Sequence, residues 1–167
     1  MDSSRRKIEG VPPENDLPMA RLRLLVADDH PAFLEGLRKI LEREFEVLAT
    51  VTDGDGALAE AARLSPDVVV CDISMPGKTG FDVARELKRR SPAIRIVFVT
   101  VHADPAYVTE ALRLDVSAYV LKTAEASELT EAVRAAAAGE VFLSSRLRGL
   151  PETTPLLPSR SGGRKPD

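Results

Sequence analysis

Five short apolar segments alternate with five segments of helical periodicity between residues 21 and 143, and this alternation limits the folds that the chain can adopt. Residues 68–71, VVVC, are apolar without interruption, which is typical of a strand buried on both faces of a sheet. Short strands that alternate with helices over short connections form a parallel sheet with helices on both sides. The sequence therefore predicts an α/β fold, a doubly wound sheet of five parallel strands.

Regular periodicity begins near Arg21. Five segments have the composition of strands: residues 21–28, 46–53, 67–72, 93–100 and 116–122. Five others carry apolar residues at helical spacing: about 31–44, 56–64, 81–87, 105–114 and 124–138. The first and fourth of these helices have proline at the first position, and glycine follows the fifth, as is common at helix starts and ends.

The two ends of the chain differ in composition from this central part. Residues 1–20 are polar and contain prolines without helix or strand periodicity, and residues 144–167 are rich in proline, serine, glycine and threonine. A length of 167 residues suits one domain of ordinary size. We expect a flexible leader at 1–20, a single domain at 21–143 and a flexible tail at 144–167.

Charge and composition exclude several classes of protein. The net charge is −3, and residues 21–143 hold fifteen basic and twenty acidic side chains, the opposite of the balance in most nucleic-acid-binding domains. The single cysteine, Cys71, cannot form an internal disulfide, which fits a reducing compartment. The apolar stretches are too short to cross a membrane. We expect a soluble cytoplasmic protein with no membrane partner and no direct binding of DNA.

Polar side chains lie at the ends of four of the predicted strands. The first strand ends at Asp28 and Asp29, the third at Asp72, the fourth at Thr100 and the fifth at Lys122. Because sites in parallel sheets form at the carboxyl ends of the strands, we expect these side chains to converge. Closely spaced carboxylates attract a hard divalent cation, and oxygen ligands favour Mg2+.

Such a cluster is suited to phosphoryl chemistry. A carboxylate beside Mg2+ can act as a nucleophile toward phosphorus. Asp72 follows the most buried strand and is the candidate nucleophile. Lys122 and the hydroxyl of Thr100 would then bond the phosphoryl oxygens after transfer.

The same residues also have ordinary structural interpretations. Asp28 and Asp29 suit the cap of the helix that follows, and Lys122 suits a solvated strand end. The coincidence of these groups at one edge of the sheet favours a site. His30 and His102 follow strand ends as loop residues, and we assign neither a role as phosphohistidine or metal ligand.

Four segments of the chain resemble the motifs of a known family, in order and in register. LLVADDHPAF, VVVCDISMPG, VFVTVH and AYVLK together resemble the receiver domain of two-component response regulators, most closely the LuxR-type (NarL/FixJ-like) subfamily. The resemblance spans about residues 22–143. It implies a flavodoxin-like fold with the strand order 2-1-3-4-5.

The resemblance also implies roles at the acidic positions. Asp72 matches the aspartate that accepts the phosphoryl group. Asp29, Asp72 and the backbone carbonyl of Ser74 would hold Mg2+, and Asp28 would act through water.

Three further positions match the family's response to phosphorylation. Lys122 matches its lysine, Thr100 its switch hydroxyl and Tyr119 its switch aromatic residue. In that mechanism a sensor histidine kinase donates a phosphoryl group, Thr100 moves toward it, and Tyr119 changes rotamer. The surface of the fourth helix, fifth strand and fifth helix would then bind a partner, or a second receiver as a homodimer or heterodimer.

The subfamily continues into a DNA-binding helix-turn-helix, and the segment after residue 150 is too rich in proline, serine and glycine to supply one. We therefore expect a stand-alone or truncated receiver, a phosphoacceptor with self-phosphorylation and autodephosphorylation activity rather than a dedicated enzyme. The alternative is a transcription regulator subunit that acts on DNA by pairing with a full-length relative or through its basic tail. A phosphomonoesterase is not expected, because no separate acid or base accompanies Asp72.

Overall fold

The computed structural model describes residues 21–149, in which strands and helices alternate along the chain. The strands are β1 (Arg23–Ala27), β2 (Glu46–Val51), β3 (Val68–Cys71), β4 (Arg95–Thr100), β5 (Ala118–Leu121) and β6 (Phe142–Leu143). The helices are α1 (Pro31–Leu41), α2 (Gly54–Leu64), α3 (Gly80–Arg90), α4 (Pro105–Arg113) and α5 (Ala126–Ala137), and a short 3-10 helix spans Ser145–Leu147.

The strands form one parallel sheet in the order β2-β1-β3-β4-β5-β6. This confirms the α/β fold and the order 2-1-3-4-5 of the first five strands. The prediction of five strands in total was wrong, because β6 adds a sixth. This strand has two residues, too few to show the alternation by which a strand is recognised in a sequence.

The sixth strand satisfies hydrogen-bonding groups along the open side of β5. The N–H of Phe142 donates to the carbonyl of Ser117, and the N–H of Ser144 donates to the carbonyl of Tyr119. Ser144 Oγ also accepts a hydrogen bond from the N–H of Leu121 at 3.0 Å. Leu147 is buried in the core, so packed structure continues a few residues beyond residue 143, where the sequence suggested that the domain ends. The rest of the predicted tail and the predicted leader lie outside the described residues.

The apolar side chains form two clusters, one on each face of the sheet. In β3, Val68 and Val70 belong to the cluster that packs against α1 and α5. Val69 and Cys71 belong to the opposite cluster, which packs against α2, α3 and α4. All four are fully buried. The strand is therefore apolar at every position because each of its faces meets a layer of helices.

Local capping sets where the helices near the site begin. Asp53 accepts a hydrogen bond from the N–H of Gly56 at 2.6 Å, so α2 starts at Gly54, two residues before the predicted start. Thr79 and Asp82 form a reciprocal capping box at the start of α3. Among residues 21–149, no helix is both long and apolar enough to span a bilayer.

Candidate functional site

Asp28, Asp72 and Lys122 meet at the carboxyl edge of the sheet. Asp28 and Asp72 follow β1 and β3, which are neighbours, and the N–H of Asp72 donates to the carbonyl of Ala27 at 3.0 Å. Lys122, just after β5, places Nζ 2.8 Å from Asp28 Oδ2 and 2.9 Å from Asp72 Oδ2. One ammonium therefore bridges two carboxylates from different strands.

Asp72 is 3% exposed, so its carboxylate depends on partners for compensation. Oδ1 accepts a hydrogen bond from the N–H of Ile73 at 2.6 Å, and the N–H of Ser74 lies 3.4 Å away. Oδ2 faces Lys122. The loop that supplies these N–H groups is held by the start of α3, because the N–H of Gly80 donates to the carbonyl of Ile73 at 2.7 Å.

Lys122 is held by an aromatic ring as well as by carboxylates. Its Nζ lies 4.4 Å from the ring centroid of Phe33 in α1. Burial disfavours the charge of Lys122, but its hydrogen bonds to Asp28 and Asp72 outweigh burial and raise its pKa. In the sequence, Phe33 is one of the apolar residues at helical spacing in residues 31–44. Its contact with Lys122 has no sequence signal, since it depends on how α1 packs beside β5.

Asp29 completes the acidic cluster. One ligand atom from each of Asp28, Asp29, His30 and Asp72 lies within 4.8 Å of all the others. Asp29 Oδ1 is buried and has no hydrogen-bond partner among the described residues. The exposed ring of His30 lies nearby, with Nδ1 3.1 Å from Asp29 Oδ1. A buried carboxylate oxygen beside an exposed imidazole, in a set rich in oxygen ligands, fits a hard divalent cation such as Mg2+.

Thr100 and Tyr119, the predicted switch residues, both contact His102. Thr100 is fully buried at the end of β4, and its Oγ1 accepts a hydrogen bond from the N–H of His102 at 3.3 Å. Tyr119 is buried, and its hydroxyl donates to the carbonyl of His102 at 2.6 Å. Burial, with smaller contributions from Tyr107, Asp104 and Asp72, raises the pKa of Tyr119 and keeps the phenol protonated.

The side chains of His102 and Ser74 contact each other near Asp72. Ser74 lies two residues after Asp72, and its Oγ is 2.7 Å from His102 Nε2. The sequence suggested no role for His102. Its only signal was its position in the loop two residues after a strand that ends at the site.

The site combines three carboxylates with one ammonium, so it keeps an excess of negative charge that a divalent cation would offset. Asp72 contacts Lys122 through Oδ2 and the N–H of Ile73 through Oδ1, and Asp28 likewise contacts Lys122 and the N–H of His30. A carboxylate held at both of its oxygens in this way has a fixed orientation toward an incoming electrophile.

Comparisons with known proteins identify the family of the chain. The sequence profile of the family described as "Response regulator receiver domain" matches residues 24–134. The transcriptional regulatory protein DegU of Brevibacillus brevis is 36% identical over 129 residues, which cover 76% of this chain and 55% of DegU. The chain spans between 55% and 64% of the length of the curated relatives that it matches.

Solved structures show the same fold. A LuxR-family two-component response regulator from Aurantimonas sp. is 32% identical, with a TM-score of 0.73 over 76% of this chain and 92% of that one. The isolated receiver domain of RcsB from Salmonella enterica, solved with the phosphomimetic BeF3-, is 29% identical, with a TM-score of 0.70 over 82% and 99%. RcsB has also been solved as dimers bound to DNA, at the same identity.

The profile covers more than half of the chain, and the solved structures share its fold. The chain therefore belongs to the response regulator receiver domain family of two-component signalling.

Proposed function

We propose that this receiver accepts a phosphoryl group on Asp72 from the phosphohistidine of a sensor histidine kinase. The observation that carries the proposal is the position of the Asp72 carboxylate, with one oxygen on the N–H of Ile73 and the other 2.9 Å from Lys122 Nζ. A carboxylate oxygen would form the new bond to phosphorus, and the P–N bond of the donor would break with its electrons passing to the imidazole. The products are an aspartyl phosphate and a free histidine.

Asp29, Asp72 and the backbone carbonyl of Ser74 would hold Mg2+, with Asp28 acting through water. Bound Mg2+ would neutralise charge on the phosphoryl oxygens. The buried oxygen of Asp29 and the excess negative charge of the cluster support this assignment.

Lys122 would exchange one of its two carboxylate partners during the reaction. In the free protein it contacts Asp28 and Asp72. Once Asp72 becomes an aspartyl phosphate, the ammonium can remain on Asp28 and donate to a phosphoryl oxygen instead. Phe33 would support this because its ring face stabilises the cation without competing for its donors.

Phosphorylation would change the rest of the domain through the side chain of Thr100. Its hydroxyl accepts a hydrogen bond from the N–H of His102, and a phosphoryl oxygen would draw that hydroxyl toward Asp72. The contact that Tyr119 makes with His102 would then change, and with it the surface of α4, β5 and α5. This surface would bind a partner, including a second receiver, as the dimers of the related RcsB suggest. The domain acts as a phosphoacceptor that also loses its phosphoryl group slowly to water.

Incubation of the purified chain with acetyl phosphate, followed by intact-protein mass measurement, tests the proposal. Wild type should gain one phosphoryl group when Mg2+ is present and none when EDTA removes it, and Asp72→Asn should gain none. Asp115→Asn is the matched control, because Asp115 is exposed and has a positive φ of 64°, which asparagine tolerates. A gain of the same size in Asp72→Asn would overturn the assignment of the acceptor.

A further inference from the structure

His102 contacts four other residues through its ring and its backbone. Its ring Nε2 is 2.7 Å from Ser74 Oγ. The same ring stacks on Tyr107 of α4, with centroids 4.5 Å apart and planes inclined by 22°. Its backbone N–H donates to Thr100, and its backbone carbonyl accepts from Tyr119. The side chain and the backbone of one loop residue thus make separate contacts with different elements.

A series of aromatic contacts leads from Tyr107 back to His102. Tyr107 packs against Phe81 of α3 at 5.7 Å, and Phe81 meets Phe98 of β4 edge to face at 5.6 Å. Phe98 meets Tyr119 at 6.3 Å, and the hydroxyl of Tyr119 bonds to His102. Aromatic pairs of this geometry are favourable, and close-packed rings do not move independently. The closed ring of contacts ties α3, β4, α4 and β5 together.

The imidazole of His102 connects this closed set of aromatic contacts to the loop that follows Asp72. Ser74 is two residues from Asp72, and its N–H lies 3.4 Å from Asp72 Oδ1. A change at the acceptor would act on Ser74 through this N–H, and the imidazole connects Ser74 to Tyr107 on α4. The contact requires both properties of the side chain, a ring nitrogen for Ser74 and a flat face for Tyr107.

We propose that His102 is a positioning residue that couples the loop after Asp72 to α4 through Ser74 and Tyr107. The inference rests on the proposed function in one respect, that Asp72 is the acceptor. The coupling itself is a property of the unphosphorylated chain. It predicts that a change at Ser74 alters the stability of α4, although Ser74 is not part of that helix, and that it does so only when His102 is present.

Hydrogen exchange of the α4 amides in the unphosphorylated chain tests the coupling. Ser74→Ala should make the amides of residues 108–111 exchange about threefold faster, the effect of losing one ordinary hydrogen bond. In the His102→Ala background the same substitution should add nothing further. Ser127→Ala, which changes an exposed serine on α5, is the matched control and should leave α4 unchanged. Additive effects of the two substitutions, or no effect of Ser74→Ala on α4, would overturn the proposal.

Two substitutions of His102 test its contacts with Ser74 and with Tyr107 separately. His102→Phe keeps a ring that can stack on Tyr107 but cannot bond to Ser74. His102→Gln keeps a polar group for Ser74 but has no ring. Each should remove the effect of Ser74→Ala on α4, because the path needs both contacts. If Ser74→Ala still altered α4 in either background, the imidazole would not be the coupling group.

Beryllofluoride with Mg2+ tests the same path in the activated state. In wild type the backbone NMR signals of the Asp72 loop and of α4 should both shift. In His102→Phe the loop should still respond and α4 should lose most of its shift. A full α4 shift in this variant would contradict the coupling. If wild type failed to respond at all, the proposed function would fail, and the hydrogen-exchange experiment would still decide the role of His102.

Discussion

Gly80 packs directly against the backbone of Asp72. A Cβ at position 80 would lie 2.5 Å from the carbonyl oxygen of Asp72 and 2.8 Å from Cα of Ile73, and neither backbone atom can move without displacing the acceptor loop. The first residue of α3 must therefore be glycine for the loop to keep its place. This requirement comes from close approach of two backbones rather than from an unusual dihedral angle.

Gly80→Ala is expected to impair both folding and phosphorylation. The added methyl group should lower the free energy of unfolding by about 1–3 kcal/mol, as overpacking does, and should slow modification by acetyl phosphate. Urea unfolding and the rate of phosphorylation provide the two measurements. Gly36→Ala is the matched control, since a Cβ at position 36 has no neighbour within 4 Å and alanine favours the interior of α1. Equal behaviour of the two variants would refute the steric explanation.

Phe33→Leu should remove the cation–π contact with Lys122 while leaving an apolar residue in α1. Loss of the cation–π contact should lower the pKa of Lys122 and slow phosphorylation about two- to fivefold. The pKa can be followed by NMR of the lysine side chain, and the rate by mass measurement. An unchanged pKa would show that the ring contributes packing alone.

Lys122 provides a prediction about pH. Its pKa in the folded chain lies above the reference value of 10.5, so its stabilising effect is fully present below that value and is lost as pH rises through the folded pKa. Lys122→Met should lower the free energy of unfolding by about 3 kcal/mol, because two buried carboxylates lose their cation. This difference from wild type should stay constant from about pH 6 to about pH 9. A difference that shrinks within that interval would mean that Lys122 titrates there, contrary to its surroundings.

Asp29→Asn should stabilise the chain in the absence of Mg2+ and weaken its binding of Mg2+. Removing one of three neighbouring carboxylates should raise the melting temperature without Mg2+, because repulsion in the cluster falls. Added Mg2+ should raise the melting temperature of wild type, as a ligand of the folded state does, and should have little effect on the variant. Calorimetric melting of both proteins with and without Mg2+ measures this. An equal rise in both would remove Asp29 from the proposed set of ligands.

The parts of the structure that were predictable from the sequence depend on local patterns. The apolar run at residues 68–71 indicated burial on both faces, and its residues do alternate between two core clusters. Asp28, Asp72 and Lys122 could be assigned to one edge because parallel strands bring their carboxyl ends together, and the structure joins these three by ion pairs.

The parts that were missed depend on contacts between distant segments. Phe33 has the sequence signal of any apolar helix residue, and only the packing of α1 brings it to Lys122. His102 is a single loop residue whose side chain meets Ser74 and Tyr107, which belong to different segments of the chain. The strand at residues 142–143 was missed because its hydrogen-bond partner is the open side of β5 and its length shows no period.

The most direct test of Asp72 as the acceptor is to locate the phosphoryl group within the chain. After reaction with acetyl phosphate and Mg2+, borohydride reduces an aspartyl phosphate to homoserine, and peptide mass mapping then identifies the residue that changed. We expect homoserine at position 72 and nowhere else. Homoserine at position 28 or 29, or a modified residue outside the acidic cluster, would contradict this expectation.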